Sequence, residues 1–262
     1  MRTLTARVRF LRLLAHVGAG ALTVLFLFPF LDRQERGHRL VRWAGKLLTV
    51  VGMRIAVRGR PPAVRGGGAL IVANHVSWLD IHVIHSLLPA RFISKAEVRD
   101  WPVIGWLADK AGGTLFLERT RKTDARRMNE LMAGHLRDGD CLALFPEGTT
   151  TDGCEILPFY ASLFQPAVAA EATVYPALIR YLDDQGDYAE APAYYGDMSL
   201  LTSLRRILRQ PGLVAEITFL PAIPTHGLNR RDLAARAEAV IRAALAAGER
   251  GTPPETADRL LA

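Results

Sequence analysis

The sequence predicts an α/β fold: a mainly parallel, about seven-stranded sheet flanked by helices, preceded by an N-terminal membrane-associated helical segment. Three observations carry this expectation. Seven short apolar runs rich in β-branched residues recur at residues 53–57, 69–73, 91–94, 114–117, 141–145, 174–179 and 215–220. Helical patterns lie between several of them, and such alternation suits a parallel sheet with helices over its faces. Ahead of the first run lies an apolar stretch of a different kind, long, flanked by arginines and broken by glycine.

That N-terminal stretch comes first in the chain. Arg2, Arg7, Arg9 and Arg12 precede residues 13–31, which are uncharged and almost wholly apolar, with His16, Gly18, Gly20 and Pro29 inside. Nineteen residues are about enough to cross a ~30 Å hydrocarbon core. A cleaved signal peptide is not expected, because Phe28-Pro29-Phe30-Leu31-Asp32 offers no small-residue cleavage site. Arginines on both flanks leave orientation open between a single span and a shallow re-entrant insertion with both flanks cytoplasmic. Residues 39–51 read as a second helix, with Leu40, Val41, Ala44, Leu47, Leu48 and Val51 on one face and Arg39, Arg42 and Lys46 on another. That pattern fits a helix in the membrane interface, or one packed on a core with a solvated basic face. The chain thus divides into residues 1–51, membrane-inserted or interfacial helices, and residues 52–262, an α/β domain.

Beyond residue 52 the clearest helix is expected from about 124 to 136, with Met128, Leu131, Met132 and Leu136 on one face and Gly139 after its end. A last helix is expected over about 229–247. Residues 183–209 are polar and irregular, and the pattern assigns them no element.

Composition narrows the partners. Half the residues are hydrophobic, the formal net charge is +7, and the mean hydropathy is positive with a pI near 9.8. A chain both basic and greasy suits membrane lipids of an anionic surface rather than nucleic acid, whose recognition signatures are absent. Cys141 and Cys154 form neither a disulfide framework nor a CxxC pair, so a reducing compartment is expected.

The chemistry gathers where apolar runs break into polar residues. Ala69-Leu70-Ile71-Val72-Ala73 is followed by Asn74 and His75, and Ser77 stands three residues before Asp80. This reads as a strand, a loop and a helix start, with Ser77 as the cap. Ligand chemistry collects at that edge of open α/β sheets. An imidazole held by a carboxylate is a general base; the plainer reading is a capping box beside a loop histidine. A second strand breaks in the same way, into Phe145-Pro146-Glu147-Gly148-Thr149-Thr150. If the two strands are neighbours, Glu147 sits beside His75. A carboxylate followed by glycine and two hydroxyls can grip a polyol or ammonium head group; a tight turn is the plainer alternative. A third strand ends at Glu118-Arg119, and Arg119, Arg121, Lys122, Arg126 and Arg127 form a basic cluster suited to phosphate. No metal site is expected, since there is no HExxH and Asp80 and His82 face different ways on a helix. No G-x-S-x-G elbow marks a serine nucleophile.

Taken together, these blocks resemble the glycerophospholipid acyltransferase family. The match consists of N-H-x-x-x-x-D at residues 74–80, a glycine-to-arginine strand at 113–119, F-P-E-G-T at 145–149 and V-x-P at 174–176. It covers about residues 40–180 and the membrane-associated N-terminus. The resemblance implies an O-acyltransferase that moves an acyl chain from acyl-CoA or acyl carrier protein to a lysolipid hydroxyl, with no cofactor and no covalent intermediate. It implies His75 as base and Asp80 as its orienting partner, with Asn74, Arg119, Glu147, Gly148, Thr149 and Thr150 at the substrate. It implies the cytoplasmic side of the cell inner membrane. The acceptor expected first is 1-acyl-sn-glycerol-3-phosphate, giving phosphatidic acid. Two departures point elsewhere. Thr150 stands where the family usually has arginine, and Tyr160 where it often has lysine. The E-G-T-T variant resembles enzymes that acylate lyso-ornithine lipid. An inactive lipid-surface binding protein is the more distant alternative.

Overall fold

The computed structural model describes residues 2–62, 68–95, 99–100, 104–111, 113–117 and 122–248. All seven predicted strands form one sheet. In chain order the elements are α1 (Arg2–Phe26), α2 (Arg33–Val51), β1 (Met53–Arg58), β2 (Ala69–Ala73), α3 (Asp80–His85), β3 (Arg91–Lys95), α4 (Ile104–Lys110), β4 (Thr114–Leu117), α5 (Lys122–Arg137), β5 (Cys141–Leu144), α6 (Gln165–Ala170), β6 (Thr173–Leu182), α7 (Leu200–Arg209), β7 (Leu213–Phe219) and α8 (Arg230–Gly248).

The strand order is β1-β7-β6-β2-β5-β3-β4. Neighbours run parallel except β6 and β7, which are antiparallel. That one reversal turns β7 and β1 against the other five strands, so β1 begins on the side of the sheet toward which β2 and β5 run. All five residues of β2 are buried, as its unbroken apolar run demands of a central strand covered on both sides. Its side chains alternate between two cores. Ala69, Ile71 and Ala73 face a core shared with α2, α3 and α7, while Leu70 and Val72 face one shared with α5 and α8. Residues 183–199, unassigned from sequence, form a connection across the end of β6 and lead into α7.

The N-terminal helices depart from expectation. The apolar run 13–31 is divided: α1 ends at Phe26 and a 3₁₀ turn spans Phe28–Phe30, with Pro29 supplying no amide to continue the α-helix. α2 starts at Arg33 rather than near 39, because Asp32 caps it. The Asp32 carboxylate accepts from the Glu35 amide at 2.8 Å, and the Glu35 carboxylate accepts from the Asp32 amide at 3.1 Å. Much of the apolar face of α2 packs against the rest of the protein. Ala44, Leu47, Leu48 and Val51 are buried against the sheet, and Arg39, Arg42 and Lys46 form a solvated outer face. An amphipathic stripe suits either surroundings, and here the sheet needs the cover.

α1 lies on α2 and α7. Arg9 Nη1 donates to the Leu208 and Gln210 carbonyls at 3.2 and 2.8 Å, Leu13 is buried, and the His16 ring stacks on Trp43 at 5.1 Å. The helix is long and apolar enough to cross a membrane by length and composition, yet it is tied to the globular body along one side. Its other side exposes Leu4, Leu11, Leu14, Leu22, Leu25 and Phe26. Two buried carboxylates bind the layers. Asp140 takes Arg33, Arg91 and His135, joining the start of α2 to β3, β5 and α5. Glu216 of β7 takes Arg58 of β1 and Arg180 of β6.

Candidate active site

Parallel pairing of β2 with β5 aligns Ala69 with Cys141 and Val72 with Leu144, so the segments after both strands leave the sheet side by side. Asn74 fixes the first exit. Its amide nitrogen donates to the Ile179 carbonyl at 2.9 Å and its oxygen accepts from the Ile179 amide at 2.7 Å, clamping the end of β2 to β6. Asn74 is buried, and both its polar groups are committed to Ile179.

His75 follows. Its Nδ1 lies 2.8 Å from Asp80 Oδ2, which also accepts from the Val76 amide at 2.8 Å and the Ser77 amide at 2.9 Å. Asp80 Oδ1 accepts from the Tyr181 hydroxyl at 2.6 Å. Asp80 is wholly buried, whereas a fifth of the His75 side chain is exposed. Nδ1 facing a carboxylate is the protonated nitrogen, which leaves the lone pair on Nε2. The ring plane is set by Phe145, stacked 4.0 Å away and nearly parallel at 4°, with Phe92 behind it. The helix proper begins one residue after Leu79, but Ser77 caps the turn ahead of it as expected: its Oγ accepts from the Leu79 amide at 3.3 Å, and Asp80 reaches back to the Ser77 amide at 2.9 Å. The carboxylate half of the capping box therefore serves the histidine loop.

Glu147 sits beside His75, but it does not present a free carboxylate. It is 3 % exposed, with one oxygen accepting from the His75 amide at 2.7 Å and the other from the Leu157 amide at 2.8 Å. Burial pushes its carboxyl above the ordinary range, against the pull of those two amides. In this structure the carboxylate braces two loops. The Thr151 amide completes the brace by donating to the His75 carbonyl at 2.9 Å, so both backbone polar groups of His75 are held by the loop after β5. Gly148 has a left-handed φ of 71°, and the Tyr160 ring lies over it where a Cβ would come within 2.8 Å. Thr149 is exposed and Thr150 half-buried. Among the described residues, no hydrogen bond takes up the amides of these two threonines. Arg119 and Arg121 lie outside the described residues.

Other titratable groups turn away from this edge. His85 donates to the Ala90 carbonyl and is pushed down to about 4 by burial. His82, between Trp43 and Trp78, is pushed down to about 3 by burial and then by the charges of His85 and His16. Among the described residues no three His, Cys, Asp or Glu side chains converge to hold a metal. The Cys141 thiol is pushed up to about 12 by burial, which rules it out as a nucleophile. Two residues of the site escaped the sequence reading. Tyr181 gave no local signal, lying 101 positions from Asp80. Phe145 was legible as the end of a strand run and the first residue of the F-P-E-G-T block, but not as the ring stacked on His75.

A histidine–aspartate pair at a sheet edge, with Nε2 open, is an arrangement suited to general-base chemistry. Known proteins agree. The fold matches the crystal structure of the 1-acyl-sn-glycerophosphate acyltransferase PlsC from Thermotoga maritima with a TM-score of 0.67, over 97 % of this chain and 100 % of that one, at 20 % identity. Residues 54–180 match the acyltransferase family. The lyso-ornithine lipid O-acyltransferase of Pseudomonas aeruginosa is 40 % identical over 249 residues, 94 % of each chain. The 1-acyl-sn-glycerol-3-phosphate acyltransferase of Neisseria meningitidis serogroup B is 34 % identical over 214 residues, 81 % of this chain and 83 % of that one. The chain belongs to the acyltransferase family and is an O-acyltransferase.

Proposed function

We propose that the protein transfers an acyl chain from a thioester, acyl-CoA or acyl carrier protein, to the free hydroxyl of a lysolipid, with His75 as general base. The observation that carries this is the 2.8 Å contact from His75 Nδ1 to a buried Asp80, which leaves Nε2 open. Nε2 takes the hydroxyl proton as the oxygen attacks the thioester carbonyl. The tetrahedral adduct then collapses, the C–S bond breaks, and the imidazolium returns its proton to the departing thiolate. A thioester is already activated, so positioning and one base suffice without an acyl-enzyme. The uncommitted amides of Thr149 and Thr150 are the donors nearest in sequence for the oxyanion.

The acceptor we assign is a lyso-ornithine lipid, in preference to 1-acyl-sn-glycerol-3-phosphate. Thr150 and Tyr160 put uncharged groups where a phosphate acceptor would call for cations, and the similarity to the Pseudomonas aeruginosa enzyme runs along nearly the whole chain. The glycerophosphate reading is favoured by the Neisseria meningitidis relative, with Arg119 as its phosphate partner. The exposed stripe of α1 is the surface that enters lipid, at the cytoplasmic face of the inner membrane. The test is incubation of the purified full chain with acyl-CoA and both lysolipids, with products identified by mass. Diacyl ornithine lipid is the expected product. Phosphatidic acid alone would reverse the acceptor assignment, and no product from any lysolipid with either donor would overturn the function.

A further inference from the structure

We propose that Tyr181 is a positioning residue of the acyl transfer, holding Asp80 in the one orientation that serves His75. The proposal rests on the reading of His75 as the base. Three of the four donors on the Asp80 carboxylate meet at Oδ2: His75 Nδ1 and the Val76 and Ser77 amides. Oδ1 is served by the Tyr181 hydroxyl at 2.6 Å. Without that donor one oxygen of a wholly buried carboxylate is left bare, and only the donors gathered at Oδ2 remain to hold the plane of the group.

The strand that carries Tyr181 is suited to the task. Ile179 and Tyr181 lie two apart on β6, on the face that packs against α3. Asn74 grips the backbone at Ile179, and Asp80 is gripped by Tyr181. A single rigid strand therefore holds the histidine loop at both its ends. The tyrosine is buried and its hydroxyl is held well above 10, first by burial and then by the Asp80 charge, so it remains a donor throughout the working pH range. The titratable groups around His75 are Asp80 at the start of α3, Glu147 after β5 and Tyr181 on β6.

Tyr181→Phe keeps the ring and removes the hydroxyl. With Oδ1 bare, more of the carboxylate's negative charge is directed at the imidazole, the imidazolium is favoured, and the base is lost at a higher pH. The expected result is a kcat lowered by about 10- to 100-fold, the scale for removing a group that orients a reactive one, with little change in KM. The acid limb of the kcat profile also moves to higher pH. Site-specific 3-fluorotyrosine at position 181 keeps the fold and strengthens the donor, so its acid limb moves to lower pH. A folded Tyr181→Phe enzyme with wild-type kcat and an unmoved acid limb would overturn the proposal. If that variant does not fold, an unmoved limb in the fluorotyrosine protein would do the same. An active His75→Ala enzyme is the separate result that would remove the base reading itself.

Discussion

At His75 one ring nitrogen is engaged and the other is open, and the functional reading depends on that asymmetry. His75→Ala removes the proposed base without emptying a core site, so turnover is expected to fall by ~10²–10⁴-fold, with the melting temperature nearly unchanged. A folded His75→Ala protein with near-normal turnover would discard the mechanism. Glu147 makes a different prediction from the one a substrate ligand would make. In Glu147→Gln one side-chain oxygen becomes an amide donor facing either the His75 or the Leu157 N–H. A donor against a buried donor costs about 1–3 kcal/mol, and the histidine loop loses its brace. Both thermal stability and kcat should drop while KM for the acceptor stays close to wild type. A selective rise in that KM would return Glu147 to the acceptor. His75 and Asp80 were legible in sequence because they lie five positions apart and one turn joins them. The clamp of Asn74 on Ile179 and the part played by Tyr181 were not, because each contact joins the histidine segment to β6, more than a hundred positions away. No local pattern carries a contact of that range.

Among the elements, the seven strands were legible because each is an apolar run bounded by glycine, proline or polar residues. The extra reach of β6 to Leu182 was hidden by Arg180, whose charge breaks the run but is neutralised by Glu216. α2 shows where pattern alone stops: a stripe on a helix records that one side avoids water, not what covers it. Its place in the core also changes how the membrane contact must be tested. Deleting residues through 38 would remove the Asp32 cap and the Arg33 ion pair and damage the fold. Paired substitutions on the exposed stripe of α1, Leu11→Gln with Leu22→Gln, leave the packed side untouched. They should shift the enzyme from sedimenting to soluble with anionic liposomes, while its activity on detergent-dispersed lysolipid persists. Unchanged sedimentation would place the lipid contact elsewhere.

For the molecule as a whole, acid is the expected weakness. His82 and His85 have folded values of about 3 and about 4, below their ordinary 6.5. The unfolded chain therefore binds protons that the folded chain refuses. Stability is full above about 6.5 and is lost as pH falls from there toward 4 and then 3. Thermal melts from pH 7.5 to 5 should show a falling midpoint, reduced in a His85→Gln variant; a flat profile would mean that neither histidine is kept neutral by the fold. The reversal between β6 and β7 has a further result at this scale. Because β1 runs opposite to β2, the close of α2, with Arg9 of α1 against Gly52, lies on the side of the sheet toward which β2 runs into His75. With α1 in lipid and His75 as base, as proposed, an acceptor beside α1 would reach the site from within the leaflet. Such an enzyme senses crowding in two dimensions. Diluting the acceptor with inert phospholipid, at constant bulk concentration, should slow it in proportion to the fall in surface mole fraction.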